Sequence, residues 1–303
     1  MYQCHSKLFV PILISLAALF FLLSSPAGAQ KKKPALSTDS STVIIIDTAG
    51  LLDSVIVIVD TVDAVDSVQQ YYDRVNASYL KSYGSNMKQV ATAPAHWEGR
   101  DWVKFAAITG TAGLLMVTLD KPVREVMLDN QNGTFTVTSK YVYPLGNRFP
   151  PLMLAGMYMT GLVTHNRRLE HASLFAAKSL VISTIVYTTT KSIIRRQRPT
   201  RTDDPLDFVA PFSSKGYTSF PSGHANTAFS VATAFALEYK DVKWVPWVAY
   251  SLATLTAVSR LYDDRHWASD VLIGASIGHF VTKGVYYFDQ KRKGARKAKK
   301  ADF

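Results

Sequence analysis

Residues 221–239 read PSGHANTAFSVATAFALEY and decide the fold class of this 303-residue chain. Ser222 is of the residue types that cap a helix, and Gly223 lets the backbone approach a neighbour closely. The run 225–239 that follows is apolar, rich in alanine and longer than a typical strand. The stretch therefore predicts a buried helix that begins near Ala225 and is opened by His224.

Five further segments share this length and composition. Each is rich in Ala, Leu, Val and Thr, and short polar joints separate them. They are 103–119, 150–165, 171–190, 244–260 and 268–287. The pattern predicts an all-α bundle of about six core helices that forms one domain over residues 97–288.

The first 29 residues have the pattern of an export signal. Lys7 supplies a positive charge, 8–23 is apolar, and Ala27–Ala29 offers small residues at the A-x-A positions. We expect cleavage after this triplet, with an uncleaved anchor as the alternative. Because Cys4 is the only cysteine, we expect neither a disulfide nor a thiolate site in the exported chain.

Two segments outside the bundle differ from it in composition. Residues 30–96 form a variable leader rich in Asp-Ser and Asp-Thr pairs, which we expect to be extended or partly disordered. Short strands and O-linked glycosylation of these pairs are the open alternatives. Residues 289–303 form a basic tail, which contributes much of the net charge of +11. A terminal basic run suits solvent or anionic lipid, so we predict no nucleic-acid partner.

Lys191 and Arg198, in the segment KSIIRRQRP, predict a phosphate-binding helix end. The two cations are seven residues apart, so two helical turns would place both on one face. Pro199 is expected to end the helix directly after Arg198. A guanidinium binds phosphate oxygens through two parallel hydrogen bonds, and an ammonium adds a point charge. The segment is also compatible with a basic helix end at a membrane surface.

The helix start at 222–224 predicts an anion site. Backbone N–H groups at a helix N-terminus attract anions, and Ser222 can cap the helix or donate to the anion. Gly223 allows close approach, and His224 is placed to act as a general acid. An ordinary Ser-capped helix with a surface histidine is the alternative.

The segment SRLYDDRHWASD, residues 259–270, supplies a third cation and a His–Asp pair. Arg260 is the cation, and His266 stands four residues before Asp270. On a helix this spacing makes the two side chains neighbours. The carboxylate can then fix the imidazole tautomer and stabilise its charged form while the other nitrogen attacks. A buried structural His–Asp pair is the alternative.

Together the three segments resemble the signature of the type 2 phosphatidic acid phosphatase (PAP2) superfamily. The pattern K-x6-RP, PSGH and SR-x5-H-x3-D matches at every fixed position. That family includes lipid phosphatases, bacterial acid phosphatases and vanadium haloperoxidases, and the resemblance covers residues 97–288. It implies a PAP2-like helical bundle in which His266 attacks phosphorus to form a phosphohistidine, Asp270 orients it and His224 protonates the leaving alkoxide. It further implies that phosphate is bound by Lys191, Arg198, Ser222, Gly223 and Arg260.

We expect no metal or other cofactor. Fixed cations can neutralise a phosphoryl group, and the sequence has no separate His/Asp/Glu cluster at metal-ligand spacing. Vanadate is expected only as an inhibitor or transition-state mimic. Asp263 and Asp264 are unusual beside a phosphate site, and we expect them to point away from it or to pair with Arg265, Arg195 or Arg196.

Membrane insertion is not decided by composition, because charged residues interrupt the apolar segments and short apolar runs also suit buried helices. If the last five segments span a membrane, loop 191–224 faces the periplasm. The segment 240–243 and the basic tail then face the cytoplasm, as the positive-inside tendency requires. We therefore expect an inner-membrane bundle, with a soluble periplasmic bundle as the alternative.

The expected function is hydrolysis of a phosphomonoester or diphosphate, carried by a lipid, at the periplasmic side of a bacterial envelope. A soluble, broad-specificity acid phosphatase is the alternative enzyme, and a vanadium-dependent haloperoxidase is a more remote one. A non-enzymatic envelope scaffold that uses the leader is disfavoured, since every fixed position of the signature is intact. The sequence names neither the substrate nor the oligomeric state.

Overall fold

The structure, a computed structural model, describes residues 74–213 and 216–301, with side chains up to residue 292. The predicted signal peptide 1–29, the Asp-Ser/Thr pairs of the leader and most side chains of the basic tail lie outside the described residues. The described part is helical with one short sheet, which confirms the predicted all-α class. Its helices are α1 (Ala77–Thr92), α2 (Gly99–Thr118), α3 (Asp120–Asp129), α4 (Gly133–Val142), α5 (Phe149–Val163), α6 (Arg167–Ile193), α7 (Gly223–Glu238), α8 (Trp244–Tyr262) and α9 (Ala268–Ala301).

Polar caps fix where several of these helices begin. Asn76, Asn132 and Asn166 each accept a hydrogen bond from the backbone N–H three residues further on, at 2.8, 3.0 and 3.0 Å. Ser222 caps α7 in the same way, with its Oγ 3.4 Å from the Ala225 nitrogen. These bonds satisfy N–H groups that a helix start leaves without a partner. The predicted start of α7 is therefore correct.

Helix α7 forms the centre of the bundle and packs on α6, α8 and α9. Its buried face is made of small residues and Phe229, so the surrounding helices come close to it. One continuous apolar cluster joins α7 to α8, α9 and the α2–α3 corner. Its members are Ala112, Leu115, Val123, Met127, Ala225, Ala228, Phe229, Ala232, Ala253, Ala257, Leu261, Ala268, Val271, Leu272 and Ala275.

Two glycines let α9 approach α7 at backbone contact. A Cβ on Gly274 would lie 2.2 Å from the carbonyl oxygen of Ser222, and one on Gly278 would lie 2.3 Å from that of Asn226. Both distances are far inside van der Waals contact, so only glycine fits at either position. The close approach joins the starts of the two helices, where the Ser222 N–H donates to the Asp270 carbonyl at 2.9 Å.

Helix α6 ends at Ile193, so the prediction that Lys191 and Arg198 share one helix face is wrong. After the helix, the strand β1 (Arg195–Arg196) pairs antiparallel with β2 (Phe208–Val209). The early end has a physical reason. Extended backbone at Arg196 turns its side chain inward, where it forms buried ion pairs. Pro199 disfavours helical backbone only at the residue before it. It therefore does not make the helix continue as far as Arg198.

The sequence patterns did not predict α1, which lies in the segment 30–96 that we expected to be a leader. It packs on α6 and α9. The Tyr79 hydroxyl donates to the Leu174 carbonyl at 2.8 Å, and the Asn86 amide donates to Asp289 at 3.0 Å. The boundary between leader and domain at residue 97 stays a prediction.

Candidate active site

Lys191 and Arg198 meet at Thr218, although no helix joins them. The Lys191 ammonium donates to the Thr218 carbonyl at 2.7 Å, and the Arg198 Nε donates to the Thr218 hydroxyl at 3.3 Å. Lys191 lies in the last turn of α6 and Arg198 follows β1. Their shared contact with Thr218, which follows β2, brings the two cations together. Thr218 is a contact that the sequence patterns did not indicate.

Tyr143 connects the third cation to His224. The Arg260 guanidinium carbon lies 4.7 Å from the centre of the Tyr143 ring, and the His224 ring stacks on the same tyrosine at 5.1 Å. Tyr143 stands in the short 3-10 turn Tyr143–Gly146, which follows α4. A Cβ on Gly146 would lie 2.8 Å from the His224 Cβ, so this turn is pressed against the histidine. The sequence patterns did not indicate this turn as part of the site.

Ser222 and Gly223 lie where predicted, at the buried first turn of α7. A Cβ on Gly223 would lie 3.2 Å from the Tyr187 ring, which leaves little room for a side chain there. The Ser222 hydroxyl caps the helix. Backbone N–H groups at a helix start attract anions, and phosphate binding by Ser222 and Gly223 stays a prediction.

His224 is held neutral by its surroundings. Its Nε2 is buried and has no hydrogen-bond partner among the described residues. Burial, together with the charges of Arg260, Arg198 and Lys191, lowers the pKa of His224 from 6.5 to about 3. A bound anion would offset those cations. The imidazole is therefore arranged to gain a proton when phosphate is bound.

His266 lies beside Asp270, as predicted, but just before α9 rather than within it. The His266 Nδ1 is 3.7 Å from Asp270 Oδ2, longer than a hydrogen bond, and it has no hydrogen-bond partner in the described part of the chain. The same Oδ2 accepts the Trp267 N–H at 3.0 Å, so Asp270 also fixes the helix start. Burial lowers the pKa of His266 to about 4, and Asp270 opposes that shift. The ring is therefore neutral above that pH, as the predicted nucleophile requires.

A buried arginine supports Asp270 from behind. Arg196 donates to Asp270 Oδ1 at 2.7 Å and to Asp120 Oδ2 at 2.7 Å, and none of the three side chains has exposed surface. The Ser219 hydroxyl donates to Asp270 Oδ2. Neither Asp120 nor Ser219 was predicted as a site residue. Their only signal in the sequence is a polar residue next to apolar segments.

The two extra carboxylates both have cationic partners, though not those predicted. Asp264 accepts two hydrogen bonds from Arg124, at 2.8 and 3.1 Å, and its backbone is left-handed with φ 54°. Asp263 pairs with Arg260 and accepts the Ser139 hydroxyl at 2.8 Å. Asp264 is thus neutralised by Arg124, whereas Asp263 orients one of the phosphate-binding cations.

Within 74–213 and 216–301, no group of three or more His, Cys, Asp or Glu side chains is placed to hold a metal ion. The predicted site residues are brought together at one end of the bundle, where α6, α8 and β1 end and α7 and α9 begin. What the arrangement offers is three cations, a helix N-terminus, one neutral histidine beside a carboxylate and a second neutral histidine. These are groups suited to phosphoryl transfer without a metal.

Residues 172–294 match the family model described as "PAP2 superfamily". The chain is 47% identical over 70 residues to the lipid A 1-phosphatase of Porphyromonas gingivalis, covering 23% of this chain and 16% of that protein. It is 36% identical over 117 residues to phosphatidylglycerophosphatase B of Bacillus subtilis, covering 35% and 52%. The chain thus spans no more than about half the length of either relative.

A solved structure has the same fold. The transmembrane PAP2-type phosphatidylglycerolphosphate phosphatase from Bacillus subtilis superposes with a TM-score of 0.50 at 22% identity. The superposition covers 62% of this chain and 94% of that one. The family match includes all three motif segments, from Lys191 to Asp270. Residues 172–294 thus resemble the PAP2 superfamily in sequence, and the bundle resembles a solved PAP2-type structure in fold.

Proposed function

We propose that this protein is a metal-independent phosphatase that removes phosphate from a phosphorylated lipid through a phosphohistidine at His266. The observation that carries the proposal is the convergence of three cations and two neutral histidines at one end of the bundle. Lys191 and Arg198 share Thr218 as a partner, and Arg260 and His224 share Tyr143. The match of residues 172–294 to the PAP2 family model supports the same reaction.

The reaction proceeds in two steps. In the first, the His266 Nε2 lone pair forms a bond to phosphorus, and the bond from phosphorus to the leaving alkoxide breaks as His224 gives it a proton. In the second, water attacks phosphorus, His224 takes its proton and the P–N bond breaks. The phosphoryl oxygens are held by Lys191, Arg198 and Arg260, with Ser222 and the Gly223 amide. Since these groups supply the charge, neither step uses a metal, and vanadate acts only as a transition-state mimic.

The surface of the bundle supports a lipid substrate. Large apolar side chains are exposed along α2, α5, α6 and α8, and α6 and α8 themselves carry site residues. Exposed apolar side chains in such number favour contact with a membrane or a partner. The exposed apolar side chains of these four helices include Val103, Phe105, Leu114, Val117, Leu152, Met159, Val163, Val181, Ile185, Trp247, Val248, Leu252 and Leu255. Two relatives are named as phosphatases of lipid A and of phosphatidylglycerophosphate, which fits this substrate class.

The end of the bundle opposite the site supports the predicted orientation. Arg167, Lys240 and Lys243 stand there, where α6 and α8 begin and α7 ends, together with the exposed Trp102 and Trp244. Basic residues mark the cytoplasmic side of a membrane, and tryptophans favour the interface. The site would then open to the periplasm after export of the N-terminus.

By length and composition, few of the described helices could cross a membrane. Over the described residues, α6 alone is long and apolar enough to cross a membrane, or two spans exist if α2 and α3, bent by 63°, are one. Half of the α6 window is buried in the bundle. This observation favours the second candidate, a soluble periplasmic phosphatase. Extraction of the protein from the periplasm without detergent would decide for it.

Phosphate release in the presence of EDTA tests the proposal. The substrates are phosphatidate, phosphatidylglycerophosphate, undecaprenyl diphosphate and a lipid A phosphate, each in detergent micelles. We expect an acid-labile phosphoprotein to be trapped from the labelled substrate. His266→Ala should lose both the phosphoprotein and turnover, by about 10⁴-fold or more.

A surface histidine provides the matched control. His96 is exposed and its ring contacts only the Thr92 carbonyl, at 2.9 Å, among the described groups. His96→Ala should therefore keep full activity. Turnover by His266→Ala at the wild-type rate would refute the nucleophile, and loss of activity with EDTA would refute metal independence.

A further inference from the structure

We propose that Asp120 and Arg196 are positioning residues that act on His266 through Asp270; this rests on the phosphatase mechanism proposed above. Neither residue is among the fixed positions of the motif pattern. Asp120 also lies outside the matched range 172–294. It is the first residue of α3, distant in sequence from all three motif segments.

Arg196 is enclosed so completely that it cannot reach a substrate. Its Nη1 donates to Asp270, its Nη2 to Asp120 and its Nε to the Pro205 carbonyl at 2.8 Å. The Trp267 ring covers the guanidinium, with its centre 5.3 Å from Cζ. The side chain is fully buried. Arg196 can therefore affect the reaction only through its neighbours, of which Asp270 carries the charge that faces His266.

Asp120 holds the other side of the same unit. Its Oδ1 accepts the Ser269 N–H at 2.9 Å, and its Oδ2 accepts the Ser269 hydroxyl at 2.6 Å. Ser269 is the neighbour of Asp270, so Asp120 fixes the backbone there and fixes the side chain through Arg196. Asp120 accepts hydrogen bonds from Arg196 and from the N–H and hydroxyl of Ser269, and these favour its carboxylate form, although burial raises its pKa.

The charge of this unit favours a cationic His266. Two carboxylates and one guanidinium leave one net negative charge behind a neutral ring. When Nε2 bonds to phosphorus the imidazole becomes positive, and the group as a whole becomes neutral. In a buried setting such a fixed charge acts strongly, because water screens it little. Without Asp120, the charges of Arg196 and Asp270 would cancel and this stabilisation would be lost.

Asp120→Asn tests the proposal, because it removes the charge and keeps the size. We expect kcat to fall about 10- to 100-fold, with the affinity for inorganic sulfate unchanged, since the phosphate-binding cations are untouched. In an Asp270→Asn background the same change should have little further effect on kcat, as residues acting through one group are not additive. Asp101→Asn, which alters a surface partner of Lys104, is the matched control and should be silent.

A titration separates positioning from a general loss of stability. Nitrogen-15 NMR of the histidine rings should show His266 with a lower pKa in Asp120→Asn than in the wild type, because a nearby negative charge is gone. The other charged groups that face His266, namely Asp270, Lys191 and Arg198, are the same in both proteins. His224, which also faces it, is unchanged as well.

Each outcome has one meaning. Wild-type kcat and wild-type titration of His266 in Asp120→Asn overturn the positioning role. A wild-type protein that releases no phosphate from any substrate overturns the proposed function, while the titration still tests the role of Asp120. If Asp120→Asn fails to bind sulfate, Ser269→Ala replaces it and should lower kcat with sulfate affinity unchanged; an unchanged kcat there refutes the proposal.

Discussion

The two ends of the bundle each bury a cluster of charged side chains, but the clusters differ in whether their buried polar atoms have hydrogen-bond partners. At the far end, the Lys178 ammonium pairs with Asp289 and donates to Ser82 at 3.2 Å, and Asn86 bonds both Asp289 and Arg292. That cluster joins α1 to α6 and α9. At the site end, the Arg196 guanidinium also has hydrogen-bond partners. The two histidines near it, His224 and His266, each have a buried nitrogen with no partner among the described residues.

The difference separates charges that hold the fold from charges that wait for a ligand. Buried polar atoms in folded proteins almost always have partners. His224 Nε2 and His266 Nδ1 are buried and have none among the described residues, and three cations surround them. A phosphoryl group would supply the missing partner of His224 Nε2 and the missing negative charge, whereas His266 Nδ1 faces Asp270 at 3.7 Å. The far-end cluster has no comparable deficit, so it is expected to affect stability and not turnover.

The same substitution at the two ends should give the largest contrast. Arg198→Lys removes the planar fork that can hold two phosphate oxygens, so kcat/KM should fall about 100-fold. Arg292→Lys keeps a cation in contact range of Asn86 and Asp289, and should leave kcat/KM unchanged. Steady-state kinetics on one lipid phosphate would measure both. Equal losses in the two variants would contradict the division between the ends.

Removing one far-end carboxylate should have the opposite signature. Asp289→Asn takes away the charge that balances Lys178, and breaking such a buried pair should lower the free energy of unfolding by about 3 kcal/mol. The thermal unfolding midpoint should fall, while kcat measured well below that midpoint should stay at the wild-type value. A matched exposed change, Asp241→Asn, breaks a surface pair with Arg168 and should lower the unfolding midpoint far less than Asp289→Asn does. A fall in kcat for Asp289→Asn at low temperature would show that the far-end cluster affects turnover and would contradict this prediction.

The sequence was sufficient for the six long core helices, α2 and α5 to α9, and for the contact of His266 with Asp270. Length and alanine-rich composition predicted α7, and the spacing of His266 and Asp270 predicted their contact, because both depend on neighbours along the chain. The contact between Ser222 and Asp270 could not be predicted from neighbours along the chain. It depends on Gly274 and Gly278, whose contact with α7 appears only once two helices are packed.

The support around the site could not be read from the sequence. Asp120 and Arg196 are 76 residues apart, and a polar residue beside an apolar segment carries no record of its partner. Tyr143 joins the site through a turn that follows a separate helix, α4. The shared helix face assumed for Lys191 and Arg198 failed for the same reason, since the buried pairing of Arg196 with two distant carboxylates outweighs continuation of α6. Long-range ion pairs thus decided what local patterns left open.

The smallest of the expected effects concerns pH. The pKa of His224 is lowered to about 3 in the empty site, so the ring is neutral near pH 7. A bound anion offsets the surrounding cations and raises that pKa, so binding takes up a proton. By linkage, affinity must then increase as pH falls. Inorganic sulfate is the right probe because its own charge is constant in this range, and it should bind about tenfold more tightly at pH 5 than at pH 7.

His224→Gln isolates the source of that dependence. His266 also titrates low, with a pKa of about 4, and faces the same anion. Glutamine keeps a polar side chain at the start of α7 but cannot gain a proton, so most of the pH dependence should disappear. If the dependence persists in His224→Gln and disappears in His266→Gln, the proton taken up on binding belongs to the nucleophile. The assignment of acid and nucleophile to the two histidines would then have to be exchanged.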